Sequence, residues 1–204
     1  MIAIILATLM SLPIYPLNPT VQDTINTMNL HITAGINGPS SSISSGPEIT
    51  AKYELMLIHP FVFRGSIDYR YGTVSTSLYP RGELHRILLS AEALFYRGTD
   101  NLTGYFGGGV IFAMHEFNIN QTTADSLFSY HGITDVGIKS VPGYRISAGL
   151  RIHRIYSIEI GITEIYPEYI YTKDLPDNRF ATYNEKFRFN DFRVTFGYLF
   201  TLKI

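Results

Sequence analysis

Asp191–Ile204 reads DFRVTFGYLFTLKI. Every second residue from Phe192 is apolar: Phe192, Val194, Phe196, Tyr198, Phe200, Leu202 and Ile204. The alternate set, Asp191, Arg193, Thr195, Gly197, Leu199, Thr201 and Lys203, is polar or small apart from Leu199. Period-two alternation marks a strand with two unlike faces. A strand this long needs two different surroundings. Lipid against the apolar face and a closed barrel lumen against the polar face supply both.

The same pattern recurs upstream. Thr24–Ile36 sets Met28, Leu30, Ile32, Ala34 and Ile36 against Asn29, His31, Thr33 and Gly35. Glu48–Ile58 and Phe61–Tyr71 follow, with His59-Pro60 as the turn between them. Leu84–Tyr96 alternates less cleanly, because Leu88 and Leu94 fall on its polar side. Leu102–Phe117 carries Phe106, Val110, Phe112 and Met114 on one face, and Gly107-Gly108-Gly109 leaves room for a bend or a large neighbour. Gly143–His153 and a strand beginning near Ser157 come next, with a turn at Arg154-Ile155-Tyr156 and a bulge near Glu164–Pro167. That makes an all-β chain of about eight strands, an antiparallel up-and-down transmembrane barrel. Its connections alternate between short and long. The longest, Asn118–Pro142 and Thr172–Lys186, read as polar loops. Turns at one end and loops at the other are what a barrel in an asymmetric membrane shows.

Composition is compatible. The chain has 204 residues, a formal net charge of −1 and 46% hydrophobic residues, and no run long enough for a membrane helix. Balanced charge gives no field for nucleic acid. Cysteine is absent, which removes disulfides and thiolate metal sites. Met1–Leu12 is an apolar run closed by Pro13, too short to span as a helix. Residues 1–23 read as a signal-peptide remnant or an N-terminal arm, and residues 24–204 as the barrel domain.

Volume decides which face points inward. An eight-stranded barrel is just wide enough for its interior to fill with side chains, and the large apolar set would overfill it. The inner face then carries Lys52, Glu54, Arg64, Asp68, Arg70, Arg86, Glu92, Arg145, Arg151, Glu159 and Arg193, together with Glu48 and Asp191. Buried charges must pair. With His59-Pro60-Phe61 and Arg154-Ile155-Tyr156 taken as the turns, Lys52 faces Asp68 and Arg151 faces Glu159. On this reading the charges are a structural plug rather than a proton path. Phe61, Phe63, Phe95 and Phe200 belong to one aromatic girdle, and Tyr69, Tyr71, Tyr144 and Tyr169 to the other.

The strand number, loop asymmetry and closing strand resemble those of the small outer-membrane β-barrel proteins of Gram-negative-type bacteria, the OmpA, OmpX and OmpW class. The family's C-terminal assembly signal maps onto Thr195, Gly197, Phe200 and Leu202, although this chain ends in Lys203-Ile204 instead of an aromatic residue. The resemblance implies an outer-membrane location and a monomer. It also implies outer-membrane lipid, the barrel-assembly machinery and periplasmic chaperones as partners, with an extracellular partner at the loops and no cofactor.

Chemistry is sparse. Ser129-Tyr130-His131 is the nearest approach to a nucleophile beside a base, and the other histidines are scattered. No paired metal ligands or phosphate loop occur. The reading is therefore a non-enzymatic barrel with a charged, plugged lumen and a structural or interaction role. The alternatives are a conduit for small apolar solutes, hinted at by Leu88, Leu94 and Ile111 on the polar face, and a lipid A-modifying enzyme.

Overall fold

The computed structural model describes residues 27–38, 44–58, 60–74, 82–99, 101–175, 180–186 and 188–203, with the backbone alone at 27–29, 56–58 and 201–203. The expected signal remnant or arm lies outside the described residues.

Eight long strands close into an antiparallel barrel. They are β1 (Thr27–Asn37), β2 (Gly46–Ile58), β3 (Phe61–Val74), β4 (Gly82–Gly98), β5 (Leu102–Ile119), β7 (Val141–Ile152), β8 (Tyr156–Ile165) and β11 (Phe189–Lys203). The order around the wall is β1-β11-β8-β7-β5-β4-β3-β2. The closing strand pairs with β1 over its whole length, from Thr27↔Lys203 to Asn37↔Arg193. The described strands thereby close on themselves and leave no edge strand in the barrel, as a lipid environment demands.

Alternation holds with the predicted polarity. Charged and small polar side chains are buried inside, whereas Ile32, Ile49, Ile67, Val110, Phe112, Ile146 and Phe196 are exposed outside. Phe61 and Tyr71 bound the outward apolar face of β3. At about 3.4 Å per residue and a tilt near 40°, they stand about 26 Å apart along the barrel axis, the height of an outer-membrane apolar band. Edge-to-face and tilted aromatic pairs collar the turn end: Phe61–Phe95 at 5.8 Å, Phe95–Phe106 at 5.5 Å and Tyr198–Phe200 at 4.7 Å between centroids. Tyr69, Tyr71 and Tyr144 face outward near the loop end. Tyr169 does not join them, because it is buried beneath the cap.

Two expected cross-strand pairs are corrected. Lys52 stands opposite Ser66, not Asp68, because Phe61 pairs with Ile58 instead of lying in the turn and the β2–β3 ladder shifts once more between Met56 and Ile58. Arg151 stands opposite Ser157, not Glu159, because the turn is His153–Ile155, with His153 and Arg154 at positive φ. Both errors are two residues, so every side chain keeps its face.

The two long connections are not simple loops. The first contains helix α1 (Gln121–His131) and β6 (Ile133–Ile138), and the second β9 (Glu168–Asp174) and β10 (Phe180–Lys186). Asn120 caps the helix through its side chain, accepting from the Thr123 amide, and Gly132 at φ 64° ends it. The strands form a separate sheet, β10-β9-β6. It continues the wall past the rim: Gly143↔Ile165 in the barrel is followed by Ile138↔Tyr169, and Ile165↔Phe189 by Glu168↔Lys186. Between these pairs the strands break, and the extension packs over the barrel mouth as a cap. No helix among the described residues is long and apolar enough to cross a membrane.

Candidate functional site

Three layers fill the lumen. At the turn end, Val62, Leu94, Tyr96 and Tyr105 form a small apolar cluster. Tyr96 and Tyr105 stack at 5.1 Å. Their hydroxyls point away from it and donate to Glu54 and Glu159, each at 2.8 Å. Glu54 also receives the Arg151 guanidinium, and His31 lies 3.4 Å from it.

The middle layer is ionic. Arg64 bridges Glu92, its cross-strand neighbour, at 2.7 Å and Glu159 across the lumen. Glu159 also takes Lys52 at 3.1 Å and Arg193. Arg145 joins Asp68 and, at 3.4 Å, Glu92. Farther toward the loops, Arg70 contacts Glu48 at 3.1 Å, Asp68 at 3.5 Å and Asp191 at 3.0 Å, while Arg86 pairs with Asp191. Arg193 reaches Glu48 at 3.0 Å and Asp68 at 3.5 Å. The seven cations Lys52, Arg64, Arg70, Arg86, Arg145, Arg151 and Arg193 thus share six carboxylates, Glu48, Glu54, Asp68, Glu92, Glu159 and Asp191. Glycines make room for the largest neighbours. A Cβ at Gly161 would sit 2.7 Å from Arg193 Nε, and one at Gly149 would sit 2.5 Å from the Tyr105 ring.

The third layer, at the loop end, is apolar. Val74, Leu84, Leu88, Ile111, Ala113, Ile165 and Phe189 pack together, and Ile138 and Tyr169 of the cap complete the cluster from above. Leu88 and Ile111 meet here. Leu94, their companion in the sequence pattern, lies in the cluster at the opposite end.

One carboxylate faces the other way. Glu164 is on the outward face of β8, opposite Tyr144. It accepts hydrogen bonds from the Tyr144 and Tyr166 hydroxyls and pairs with Arg188 at 2.6 Å. Tyr166 and Arg188 lie in the segments where the chain passes between wall and cap. Glu164 therefore ties together the places where β8 and β11 leave the barrel. The bond to Glu164 pushes the Tyr166 phenol up from its ordinary value.

The remaining sequence candidates are dispersed. Ser129 and His131 both lie on α1, where residues two apart point to different sides. His85 faces outward, and Tyr69 is its hydroxyl neighbour at 2.7 Å. His59 lies outside the described residues. Thr195 points into the lumen, Phe200 is exposed outward, and a Cβ at Gly197 would strike the Thr33 side chain of β1. The Leu202 side chain lies outside the described residues, although its backbone pairs with Met28. Tyr96, Tyr105, His115 and Phe189 also lie on the lumen side of their strands. Counting in twos from Glu92, Gly107 and Asp191 would have placed them there.

The crystal structure of the outer membrane protein OprG from Pseudomonas aeruginosa aligns with this wall at a TM-score of 0.62 and 11% identity, over 85% of this chain and 95% of that one. The chain has the fold of the small outer-membrane β-barrels. The solution structure of outer membrane protein W of E. coli aligns at a TM-score of 0.51 and 11% identity, covering 88% and 99% of the two chains. No family model matches the chain, and no curated protein matches it in sequence. The likeness of this barrel to its neighbours is therefore one of architecture.

Proposed function

We propose that the protein is an integral outer-membrane β-barrel of a Gram-negative-type envelope, a monomer with a plugged lumen. It acts structurally or by contact with an extracellular partner at the cap, and not as an enzyme. The observation that carries this reading is the filling of the lumen: an ion-paired middle closed by apolar layers at both ends. Guanidiniums bridged to carboxylates on other strands, such as Arg64 to Glu159, Arg145 to Asp68 and Arg70 to Asp191, cross the lumen and occupy its middle. Reconstituted in a planar bilayer, the protein should give negligible conductance. A steady pore of defined size would reject the plug.

Outer-membrane lipid around the apolar band, periplasmic chaperones and the barrel-assembly machinery are the partners that this reading requires. Thr195, Gly197, Phe200 and Leu202 are proposed as the assembly signal on the strand that closes the barrel. Phe200→Asp should leave most of the protein outside the membrane fraction, whereas a substitution at exposed Tyr130 of α1 should not. Equal insertion of the two variants counts against that role.

A second reading is a conduit for small apolar solutes. The meeting of Leu88 and Ile111 in the apolar cluster under the cap favours it. It requires solute uptake by protein-containing vesicles above that of empty ones.

A further inference from the structure

We propose that the loop end of the lumen is an anion site, in which Arg86 and His115 hold a small monoanion beneath the apolar cluster. With histidines counted neutral, the seven lumen cations and six lumen carboxylates leave one positive charge uncompensated among the described residues. The register shows where it falls. Arg70 and Arg86 stand directly opposite each other on β3 and β4, and like charges so placed repel. They share Asp191. Arg70 has Glu48 and Asp68 as well. Arg86 has no second carboxylate among the described residues.

Its donors tell the same story. In Arg64, Arg70 and Arg193 both terminal nitrogens find partners. Arg86 is fully buried, yet both its Nε and Nη2 lack one. The Lys139 backbone approaches His115, opposite Arg86 on β5, although neither ring nitrogen makes a hydrogen bond of normal geometry. Both groups border Phe189: its ring lies 5.8 Å from the Arg86 guanidinium carbon and 6.0 Å from the His115 ring. A guanidinium does not shed its proton, and an uncompensated buried charge is costly. The chemistry these donors call for is a monoanion that accepts hydrogen bonds from a guanidinium edge and an imidazole. That is either a free inorganic ion or the carboxylate of a solute whose tail lies against Leu84 and Leu88. The second case would give the conduit its substrate class, while bilayer conductance tests the plug independently.

The test uses the folded protein in detergent, in a buffer whose anion is a bulky sulfonate. Bromide, acetate and hexanoate are added at constant ionic strength while thermal unfolding is followed. Each fitting anion should raise the midpoint saturably, by roughly 4 °C. Arg86→Gln should lose this response and be no less stable than the parent in the starting buffer, because it removes the excess charge. Bromide-soaked crystals of the unaltered protein should show an anomalous peak within hydrogen-bond reach of Arg86 Nη2, a measurement that needs no variant. Matching responses to bromide and acetate identify a free-ion site. Hexanoate acting at about tenfold lower concentration than acetate identifies a solute carboxylate, since its four additional methylenes are worth at least that much if buried. A midpoint indifferent to all three anions, an equal response in Arg86→Gln, or no bromide at Arg86 overturns the proposal.

Discussion

The middle of the lumen and its loop-end mouth lie on the same inner face of the same strands, yet they are built from opposite materials. In the middle, Arg64, Glu92, Arg145, Asp68, Glu159 and Arg193 are buried and paired. Two steps along, the face turns to Leu84, Leu88, Ile111 and Ala113. The middle is packed with its own charges, each group tied to a partner on another strand. The mouth is packed by an added part, the cap. An apolar opening left to water would be an exposed hydrophobic patch. Extending three strands of the wall and folding them over the mouth buries it without a new domain. The difference shows that the alternation of a barrel strand specifies a face, not a material. What fills each level depends on what lies across the lumen at that height.

Three substitutions would break or sharpen this contrast. The largest effect is expected from Arg64→Gln, which removes the cation that Glu92 and Glu159 share and leaves Arg145 as the one cation on Glu92 among the described residues. Breaking a buried ion pair costs about 3–5 kcal/mol, to be read from denaturant or thermal unfolding in detergent. If the loss is below about 1 kcal/mol on that scale, the middle is not held by its charges. Leu88→Ala should cost about 2–3 kcal/mol through the cavity it opens beneath the cap, and should increase proteolytic nicking of residues 120–140 while the wall stays protected. Equal protection of cap and wall would show that the mouth does not depend on its packing. The smallest effect is expected from Glu164→Gln, which weakens the tie between Tyr166 and Arg188 on the outer surface. It should speed amide exchange in β9 and β10 with little change in the unfolding midpoint. Unchanged exchange there would remove Glu164 from the mechanics of the cap.

The wall was legible in the sequence because its signal tolerates error. The pairing registers beside His59-Pro60 and Arg154-Ile155-Tyr156 were off by two residues, so Lys52 and Arg151 were given the wrong opposite residues. A shift of two leaves parity intact, so both side chains still point inward. Their actual partners, Glu159 for Lys52 and Glu54 for Arg151, lie across the lumen. No local reading of a hairpin contains that information. The cap was hidden for a different reason. Its strands, ITDVGI, EYIYTKD and FATYNEK, are short and lack sustained alternation, and α1 buries no residue that would mark an amphipathic face. Only after β7, β8 and β11 are aligned does their continuation past the rim become visible. Tyr169 shows the cost: as a sequence position it belonged with the interfacial tyrosines, but the break at residues 166–167 carries it inside. The candidate anion site was half visible. Arg86 was named from its face, whereas His115 has meaning only beside the unshared donors of Arg86.

Glu159 is one carboxylate on β8, and it holds Lys52 of β2, Arg64 of β3, Tyr105 of β5 and Arg193 of β11. Five of the eight staves are thereby pinned to a common hub near the axis. Pulling any of these strands outward withdraws a charge from the hub and leaves the others facing a broken set. The barrel is thus denied a cheap seam: it cannot peel open one strand at a time, and its loss of structure should be a single cooperative event instead of a progressive unzipping from β1 and β11.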